Sequence, residues 1–394
     1  MNELVALMDQ SQSLIDITDV GFVRYMYDEI NWKNRLIGIK GPRGIGKTTL
    51  LLQYIKLNLD IKKTLYVTMD NLLFSGNKLF DVATMFAKMG GKFLFVDEIH
   101  KYANWSTEIK LIYDMQPELN VVFTGSSVLD ISRGEEADLS RRAVMYEMRG
   151  LSFREYLMMY KGIKVPVYTL ENILNNDVKL SLGTNRPLSV FAEYMEKGYY
   201  PFAADFDFTR RLMQVVSQTL EIDIPMYANL NISTSRKLKQ LLGIIARSCP
   251  FKPNYQSLSQ MLDVNRTQVK DYILYMEKTG LVGQLRDTTG GVRSLGKVEK
   301  VYLDNPSLAY VLSDGRPDIG NMRETFFYSQ MRVKYDVLVS RVSDFEIGDC
   351  TFEIGGKGKG QKQIESATRG FVVKDDIEHG FGNTIPLYMF GLTY

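Results

Sequence analysis

Three glycines, a lysine and a threonine stand together near the start of the chain, in a spacing that could hold a polyphosphate. Residues 41–48 read Gly-Pro-Arg-Gly-Ile-Gly-Lys-Thr and fit the pattern G-x-x-x-x-G-K-[ST]. Glycines lack a Cβ and let backbone N–H groups turn inward around phosphate oxygens. The Lys47 ammonium can then reach the β- and γ-phosphates, and the Thr48 hydroxyl can ligate Mg²⁺. The predicted phosphate-binding residues are Gly41, Pro42, Arg43, Gly44, Ile45, Gly46, Lys47, Thr48 and Thr49.

Short elements on either side would position this phosphate loop (residues 41–48). Residues 36–39 are apolar and β-prone, and residues 49–55 have the composition of a helix. A strand before the loop and a helix after it form the context in which this motif binds phosphate, and the helix N-terminus adds partial positive charge. The alternative, a glycine turn that binds nothing, does not require these two elements.

Two adjacent acids end an apolar run farther along the chain. Residues 92–96 are followed by Asp97 and Glu98. A run that is apolar on both faces is typical of a central parallel strand, and ligands of such sheets bind beyond the carboxyl ends of the strands. We predict that Asp97 holds Mg²⁺ through its waters and that Glu98 orients and deprotonates the attacking water. Lys47 and Glu98 are therefore predicted catalytic residues.

A second strand tip offers a polar residue to the same site. Residues 120–124 are β-prone and lead into Gly125, Ser126 and Ser127. Ser126, with Ser127 next to it, could sense the γ-phosphate or hold the water, and we take Ser126 as a catalytic candidate. The alternative is a helix N-cap, a position that serine often occupies.

Arginines in a charged loop are candidates for the last part of the site. Residues 133–142 contain Arg133, Arg141 and Arg142, ahead of a β-like run at residues 143–148. An arginine near the γ-phosphate can stabilise transition-state charge, from the same chain or from a neighbouring one. We carry Arg141 forward as the catalytic candidate. The alternative for each arginine is a surface ion pair with an acid of the same loop.

Several of these segments together resemble a known family. Residues 95–102, Trp105, and residues 123–127, 139–142 and 150–156 are similar to bacterial and archaeal AAA-type P-loop ATPases, grouped near the signal-transduction ATPases with numerous domains. In that family the ATPase is joined to a C-terminal domain of unknown function that looks like a restriction endonuclease. The resemblance covers nearly the whole chain. It implies ATP and Mg²⁺ as cofactors and leaves the cellular role open.

The middle of the chain predicts helices and then a winged helix-turn-helix. Residues 151–230 are mostly helical in pattern, with a break at residues 198–202. Helical segments follow at residues 236–248, 255–262 and 265–276, and a β-like return begins near residue 280. This order of helices and a β return is typical of a winged helix-turn-helix.

The second helix of such a unit enters the major groove in DNA-binding proteins. Asn265 can cap that helix, and Arg266, Gln268 and Lys270 would be its exposed readers. Its acid Asp271 and the lack of a strongly basic neighbourhood favour the alternative, a lever or a protein contact.

The last hundred residues contain acids in the order of a metal-dependent nuclease core. Glu324, Asp344 and Glu353 would bind Mg²⁺, and Lys357 would position the attacking hydroxide. The usual pattern places the lysine two residues after the acid, where this chain has glycine. Lys357 lies roughly 13 Å from Glu353 along an ideal strand, unless a bulge shortens the path. An active nuclease and a structural or partner-binding relic of that fold both remain open.

Composition excludes several classes of protein. The chain has 394 residues, a net charge of +2 and two cysteines. We therefore expect several domains, no global attraction to nucleic acid, and no disulfide scaffold. No apolar run approaches the ~20 residues that span a bilayer, and no secretion signal is evident, so we predict a cytoplasmic protein. The N-K-x-D string typical of GTP-binding proteins is absent, which favours ATP.

Together these patterns predict an α/β fold in four parts. They are a P-loop NTPase core with a parallel sheet between helices (1–160), a helical region (161–230), a winged helix (231–298) and an α+β restriction-endonuclease-like domain (299–394). We expect a Mg²⁺-dependent ATPase switch that binds ATP and ADP, and we leave open whether it is coupled to DNA through the winged helix. The alternative is a nucleotide-gated protein-interaction module, acting through self-association or a protein partner, with an inactive nuclease-like domain.

Overall fold

The structure is a computed structural model that describes residues 2–126, 139, 141–180, 186–231, 233–287 and 296–394. The chain divides into two compact units. The first unit is Met1–Arg149 with Met226–Asn229, and the second unit is Gly150–Pro225 with Leu230–Tyr394. The four-part division made from sequence stays a prediction. Among the described residues, no helix is long and apolar enough to cross a membrane.

The first unit is built on a sheet whose described strands are all parallel. The strands are β1 (Leu36–Gly41), β2 (Thr64–Thr68), β3 (Phe93–Asp97), β4 (Asn120–Ser126) and β5 (Val144–Glu147). Their order across the sheet is β2-β3-β4-β1-β5. The run that ends in Asp97 is therefore an inner strand, as predicted, and the parallel sheet is consistent with a P-loop NTPase core.

Helices connect and cover these strands. They are α1 (Asn2–Ile17), α2 (Met26–Glu29), α3 (Lys47–Asn58), α4 (Leu79–Lys88) and α5 (Trp105–Met115). α1 packs on α3 and β2, while α4 packs on α5. The core between the elements is apolar, and Leu65, Val96 and Phe123 in it are fully buried. Burial of such side chains provides the main stabilisation of the sheet.

Parallel pairing brings the carboxyl ends of the strands to one edge. Gly41 at the end of β1 pairs with Ser126 at the end of β4. Thr68 at the end of β2 pairs with Asp97 at the end of β3. The phosphate loop, the acidic pair and the second strand tip are therefore neighbours because of sheet order, although they are far apart in sequence.

The second unit is mainly helical in its first half. Its elements up to residue 303 are α6 (Phe153–Lys161), α7 (Leu170–Leu174), α8 (Pro187–Glu193), α9 (Phe208–Gln218), α10 (Ile224–Tyr227, which runs past Pro225), α11 (Thr234–Arg247), α12 (Tyr255–Leu262), α13 (Arg266–Lys278), β6 (Val282–Arg286) and β7 (Val298–Leu303). β6 and β7 pair antiparallel. The three helices and the strand pair follow the order predicted for a winged helix, and that assignment stays a prediction.

A mixed sheet follows in the second unit. Its elements are α14 (Pro306–Leu312), α15 (Ile319–Met331), β8 (Leu338–Val339), β9 (Phe345–Ile347), β10 (Cys350–Gly355), β11 (Arg369–Lys374) and β12 (Thr384–Pro386). β8, β9 and β10 pair antiparallel, whereas β10, β11 and β12 pair parallel. Since β7 begins at Val298 and pairs with β6, that strand crosses the boundary predicted at residue 298.

Aromatic side chains fill the core of the second unit. Phe191 of α8 meets Phe326 of α15 edge to face, with ring centroids 4.8 Å apart. Phe390 lies in the helical turn that follows β12. Its ring centroid is 4.9 Å from that of Phe327. Ser152 and Arg154 also donate hydrogen bonds to the backbone oxygen of Tyr394. The last residue is therefore held against the start of α6.

Candidate functional site

The phosphate loop has the backbone that its glycines were expected to allow. Gly44 and Gly46 have φ angles of 78° and 95°, in the region that residues with a Cβ rarely adopt. Gly46 caps α3, and Lys47 is the first residue of that helix. The Lys47 ammonium donates to the backbone oxygens of Gly41 and Pro42, at 2.9 Å each. Burial lowers the pKa of Lys47, and the nearby Glu98 and Asp97 partly offset this.

Met148 and Arg24, which both lie outside the motif, contact the phosphate loop. Gly41 lies so close to the end of β5 that an added Cβ would stand 2.4 Å from the backbone oxygen of Met148. The buried Arg24 donates hydrogen bonds to the backbone oxygens of Ile45 and Arg149. Sequence reasoning missed Arg24, because it precedes the motif by 17 residues and matches no pattern.

Asp97 is the centre of a buried hydrogen-bond network. Its Oδ2 accepts from the Thr48 hydroxyl at 2.6 Å and from the Tyr66 hydroxyl at 2.8 Å. Its Oδ1 accepts from the Thr124 hydroxyl and from the backbone N–H of Glu98. The structure thus brings together Thr48 and Asp97, the two predicted metal ligands. Burial, and then Asp97, raise the pKa of Tyr66, so this hydroxyl stays a donor.

Tyr66 and Thr124 could not be found from sequence. Each lies within a neighbouring strand, β2 or β4, and meets Asp97 only because the two strands flank β3. No motif or spacing marks them. Sheet order, which the sequence alone left open, is the information that was missing.

The donor set around Asp97 fits Mg²⁺. A hydroxyl and a carboxylate are the hard oxygen ligands that this ion prefers, and Mg²⁺ usually takes its remaining ligands from water and substrate phosphates. Among the described residues, no group of three or more histidine, cysteine, aspartate or glutamate side chains could hold a metal by itself. Thr48 and Asp97 would therefore hold the ion together with the phosphates of a nucleotide.

Glu98 lies beside the loop in an unusual backbone conformation. Its φ is 53°, a value uncommon for a residue with a Cβ. Its Oε2 lies 3.8 Å from Nη1 of Arg43, 3.6 Å from Nζ of Lys101 and 3.4 Å from Nε2 of His100. Strained backbone of this kind persists where the surroundings hold it, often at functional sites. The predicted general base thus lies next to Arg43 of the phosphate loop.

Ser126 takes part in the site through its backbone. The Ser126 N–H donates to Nδ1 of His100 at 3.2 Å, and the serine is buried. Burial, then Arg43, Lys47 and Lys101, lower the pKa of His100 to about 3. His100 is therefore neutral near pH 7. A role for the Ser126 hydroxyl stays a prediction, and Ser127 lies outside the described residues.

The three candidate arginines differ in their surroundings. Arg133 lies outside the described residues. Arg142 forms an ion pair with Asp114, at 3.0 Å between Nε and Oδ1. Arg141 is exposed and makes no ion pair with a described residue. Its role in catalysis stays a prediction.

Gln268, one of the residues predicted to read DNA, takes part in the N-terminal cap of α13. Asn265 and Gln268 form a capping box at the start of α13, in which each side chain accepts the other's backbone N–H. This confirms Asn265 as the cap and gives Gln268 a structural partner. Arg266 and Lys270 are exposed, and the Lys270 ammonium lies 5.3 Å from the centre of the Tyr255 ring.

Two of the acids predicted for a nuclease core, Glu324 and Asp344, lie beside one lysine. The Lys300 ammonium lies 3.4 Å from Glu324 and 3.5 Å from Asp344. The Tyr302 hydroxyl donates to Glu324 at 2.7 Å. Burial, and then Asp344, raise the pKa of Glu324, and Lys300 partly offsets this. Lys300 therefore bridges two of the predicted nuclease acids, and sequence order gave no sign of it.

The lysine predicted to serve the third acid is corrected by the structure. The buried Glu353 pairs with Lys359, while Lys357 is exposed. A turn after Gly355 folds the chain back, so the Lys359 side chain crosses the space that a Cβ on Gly355 would fill. A turn stands where a bulge could have shortened the path, and the period-two argument for Lys357 fails because β10 ends at Gly355.

Two family models match parts of the chain. Residues 33–157 match a family model described as an AAA domain, and residues 188–318 match a domain of unknown function (DUF8612). An uncharacterized protein of Methanocaldococcus jannaschii is 27% identical over 290 residues. That match covers 69% of this chain and 61% of the relative.

Two solved structures are also similar in part. C. elegans PCH-2 is 17% identical with a TM-score of 0.30, and the match covers 60% of this chain and 68% of that one. The S. cerevisiae Hsp104-ADP complex is 15% identical with a TM-score of 0.30, covering 69% and 37%.

The matched range of the AAA model contains the candidate site. The phosphate loop, the acidic pair and β1 to β5 all lie inside the matched range. The predicted restriction-endonuclease-like fold and winged helix stay predictions. Residues 33–157 therefore match the AAA domain family, which supports a nucleotide-binding P-loop domain of the AAA type.

Proposed function

We propose that the chain is a Mg²⁺-dependent, ATP-hydrolysing molecular switch. The observation that carries this proposal is the contact between Thr48 and Asp97, at 2.6 Å. It joins the phosphate loop to the acidic strand end across 49 residues. A hydroxyl and a carboxylate at this distance suit a shared metal, and Glu98 follows directly on the chain.

Each residue has a distinct task in this mechanism. The loop glycines and Lys47 bind the β- and γ-phosphates, and Thr48 and Asp97 orient Mg²⁺. When bound, Mg²⁺ neutralises charge on the phosphate oxygens. Glu98 accepts a proton from the water whose oxygen bonds to the γ-phosphorus while the bond to ADP breaks. Arg141, exposed in this structure, is the candidate to stabilise the departing charge, in this chain or in a second copy.

Two substitutions test the assignment with matched controls. Glu98→Gln is expected to keep ATP binding and to lower kcat by on the order of 10²- to 10⁴-fold, the usual contribution of a general base. Lys47→Ala is expected to weaken ATP binding roughly 10- to 100-fold, because it removes charged hydrogen bonds worth about 1.5–3 kcal/mol. Binding and turnover would be measured with Mg²⁺ present.

Glu118→Gln and Lys62→Ala are the controls, since both side chains are exposed in the first unit. Both are expected to behave like the wild type. Wild-type turnover in Glu98→Gln would show that Glu98 is not the base. ATP affinity unchanged in Lys47→Ala would remove the phosphate loop from the proposal.

Coupling to DNA is a second candidate, supported by a basic cavity. A cavity of about 670 Å³ lies between α12, α13 and the β6–β7 pair. Its lining includes Lys252, Lys270, Arg286 and Lys297, beside the aromatic ring of Tyr255. Cations next to an aromatic ring suit nucleic acid, which offers both phosphates and bases. Asp271 and Glu299 in the same lining reduce this charge and favour the protein-interaction alternative.

ATP turnover measured with and without duplex and single-stranded DNA distinguishes a DNA-coupled ATPase from the protein-interaction module. Stimulation that falls with salt and is lost in Arg266→Ala/Lys270→Ala would support a DNA-coupled ATPase. Turnover indifferent to DNA, together with nucleotide-dependent self-association or partner capture, would favour the protein-interaction module.

A further inference from the structure

One buried imidazole touches both strand ends that meet at the candidate site. His100 lies in the helical turn Ile99–Lys101, just after β3. Its Nδ1 accepts the N–H of Ser126 at the tip of β4, at 3.2 Å. Its Nε2 lies 3.4 Å from Oε2 of Glu98. The ring therefore lies between the predicted general base and the strand tip predicted to sense the γ-phosphate.

The hydrogen bond to Ser126 fixes where the ring carries its proton. A neutral imidazole has one donor and one acceptor nitrogen. Since Nδ1 accepts from a backbone N–H, Nε2 must carry the hydrogen. Oε2 of Glu98 lies 3.4 Å from Nε2, and neither atom makes a hydrogen bond within the described part of the chain. The burial of His100 keeps the ring neutral, so it acts as a donor without adding a charge.

The other neighbours of Glu98 are less suited to hold it during a reaction. Arg43 belongs to the phosphate loop and lies 3.8 Å from Oε2. A bound nucleotide would attract this guanidinium to its phosphates. Lys101 lies 3.6 Å from Oε2 but is already paired with Asp70, at 2.6 Å. His100 alone among these three is neutral and tied to the sheet.

We propose that His100 is a positioning residue for ATP hydrolysis. With nucleotide bound, its Nε2–H donates to Oε2 of Glu98, a hydrogen bond that is not formed in this structure. Oε1 is then left to accept the proton of the attacking water. Its Nδ1 ties that orientation to the tip of β4, so that the two strand ends hold the base together. The 3.4 Å separation shortens in the nucleotide complex, as catalytic hydrogen bonds often do. This inference rests on the proposed ATP hydrolysis at Glu98.

Two substitutions separate the two hydrogen bonds of the ring. His100→Asn keeps an oxygen near Nδ1 to accept from Ser126, but its amide is too short to reach Glu98. His100→Gln extends an N–H donor toward the position of Nε2. We expect His100→Asn to lower kcat by on the order of 10- to 100-fold with an unchanged KM for ATP, because the base is misplaced. We expect His100→Gln to keep kcat within a few-fold of the wild type.

A merely structural role would give a different result. Loss of kcat in both variants, with a raised KM and a lowered melting temperature, would overturn the proposal. Wild-type kcat in His100→Asn would overturn it as well. His379→Gln is the matched control, since His379 is the other of the two histidines in the chain.

A measurement that needs no turnover separates this inference from the proposed function. The ¹⁵N and ¹H signals of the histidine rings would be compared in the wild type and in Glu98→Ala, each with Mg²⁺ and a non-hydrolysable ATP analogue. We expect the wild-type His100 signals to show the Nε2–H form and to shift when Glu98 is removed. Signals unchanged by Glu98→Ala would refute the contact. Wild-type ATP binding without hydrolysis would instead refute the proposed function, and the contact would still be decided by these spectra.

Discussion

The surroundings of Glu324 disfavour the ionised form of its carboxyl group. It lies on α15 between Asp344, Tyr302 and Lys300, largely away from water. Burial favours the neutral acid, and the adjacent carboxylate of Asp344 does so too. Lys300 offsets only part of this, so the pKa of Glu324 lies above its ordinary value.

A stability measurement across pH tests this arrangement. A carboxyl whose pKa is raised by folding destabilises the folded state once pH exceeds the pKa values of both states. Glu324→Gln is therefore expected to stabilise the protein at neutral pH, by on the order of 1 kcal/mol. The gain should shrink as pH falls through the folded and then the unfolded pKa of this residue.

Urea unfolding at several pH values would measure the gain, with the exposed Glu365→Gln as control. A variant that is less stable than the wild type at neutral pH would mean that the ion pair with Lys300 dominates.

Single residues were predictable where a motif is local. Lys47 and Thr48 are in one loop, and Asp97 ends one apolar run, so pattern and spacing were enough to single them out as candidates. Tyr66 and His100 escaped because their contacts depend on which strands are neighbours. Lys359 escaped because a turn, rather than the period of a strand, brings it to Glu353.

At the scale of elements, the phosphate loop depends on the strand next to it. β1 ends at Gly41, and β5 lies so close that the space for a side chain is filled by the backbone oxygen of Met148. The motif requires glycine here for a reason that lies outside the motif. The loop and the end of β5 are therefore expected to move together.

Gly41→Ala tests this close approach. An added Cβ would stand 2.4 Å from a backbone atom, and backbone cannot yield as a side chain can. We expect a loss of about 1–3 kcal/mol, typical of overpacking, together with weaker ATP binding. Melting temperature and nucleotide titration would measure both.

Gly76→Ala is the matched control. Gly76 has nothing within 4 Å of an added Cβ and has a negative φ, so a change within about 0.5 kcal/mol is expected. Equal effects of the two substitutions would contradict the role assigned to the end of β5.

The type and order of the elements followed from local sequence. β1 extends from Leu36 to Gly41 and α13 from Arg266 to Lys278, close to the expected bounds. Alternating and helical hydrophobic patterns, with caps such as Asn265, were enough for this. The order of strands across the sheet was not predicted, because it depends on contacts between segments far apart in the chain.

At the scale of the whole molecule, the two matched ranges of the chain differ in what their family models say about function. Residues 33–157 match a family model described as an AAA domain, whereas the family model over residues 188–318 is described as a domain of unknown function. The lysine pairing of Glu324, Asp344 and Glu353 in the second unit bears on whether that unit binds metal. Each ammonium occupies a position where a cation could otherwise approach the acids.

Both tryptophans of the chain, Trp32 and Trp105, belong to the first unit. Trp105 is buried against Phe123, and Trp32 stacks on Tyr54 of α3 at 3.7 Å. Selectively excited tryptophan emission therefore reports on the first unit alone, while circular dichroism reports on the helices of both units. We expect ATP to change the Trp32 signal through α3, in the intact and unlabelled chain. Emission and dichroism curves recorded during one melt would then tell whether the second unit unfolds with the first or on its own.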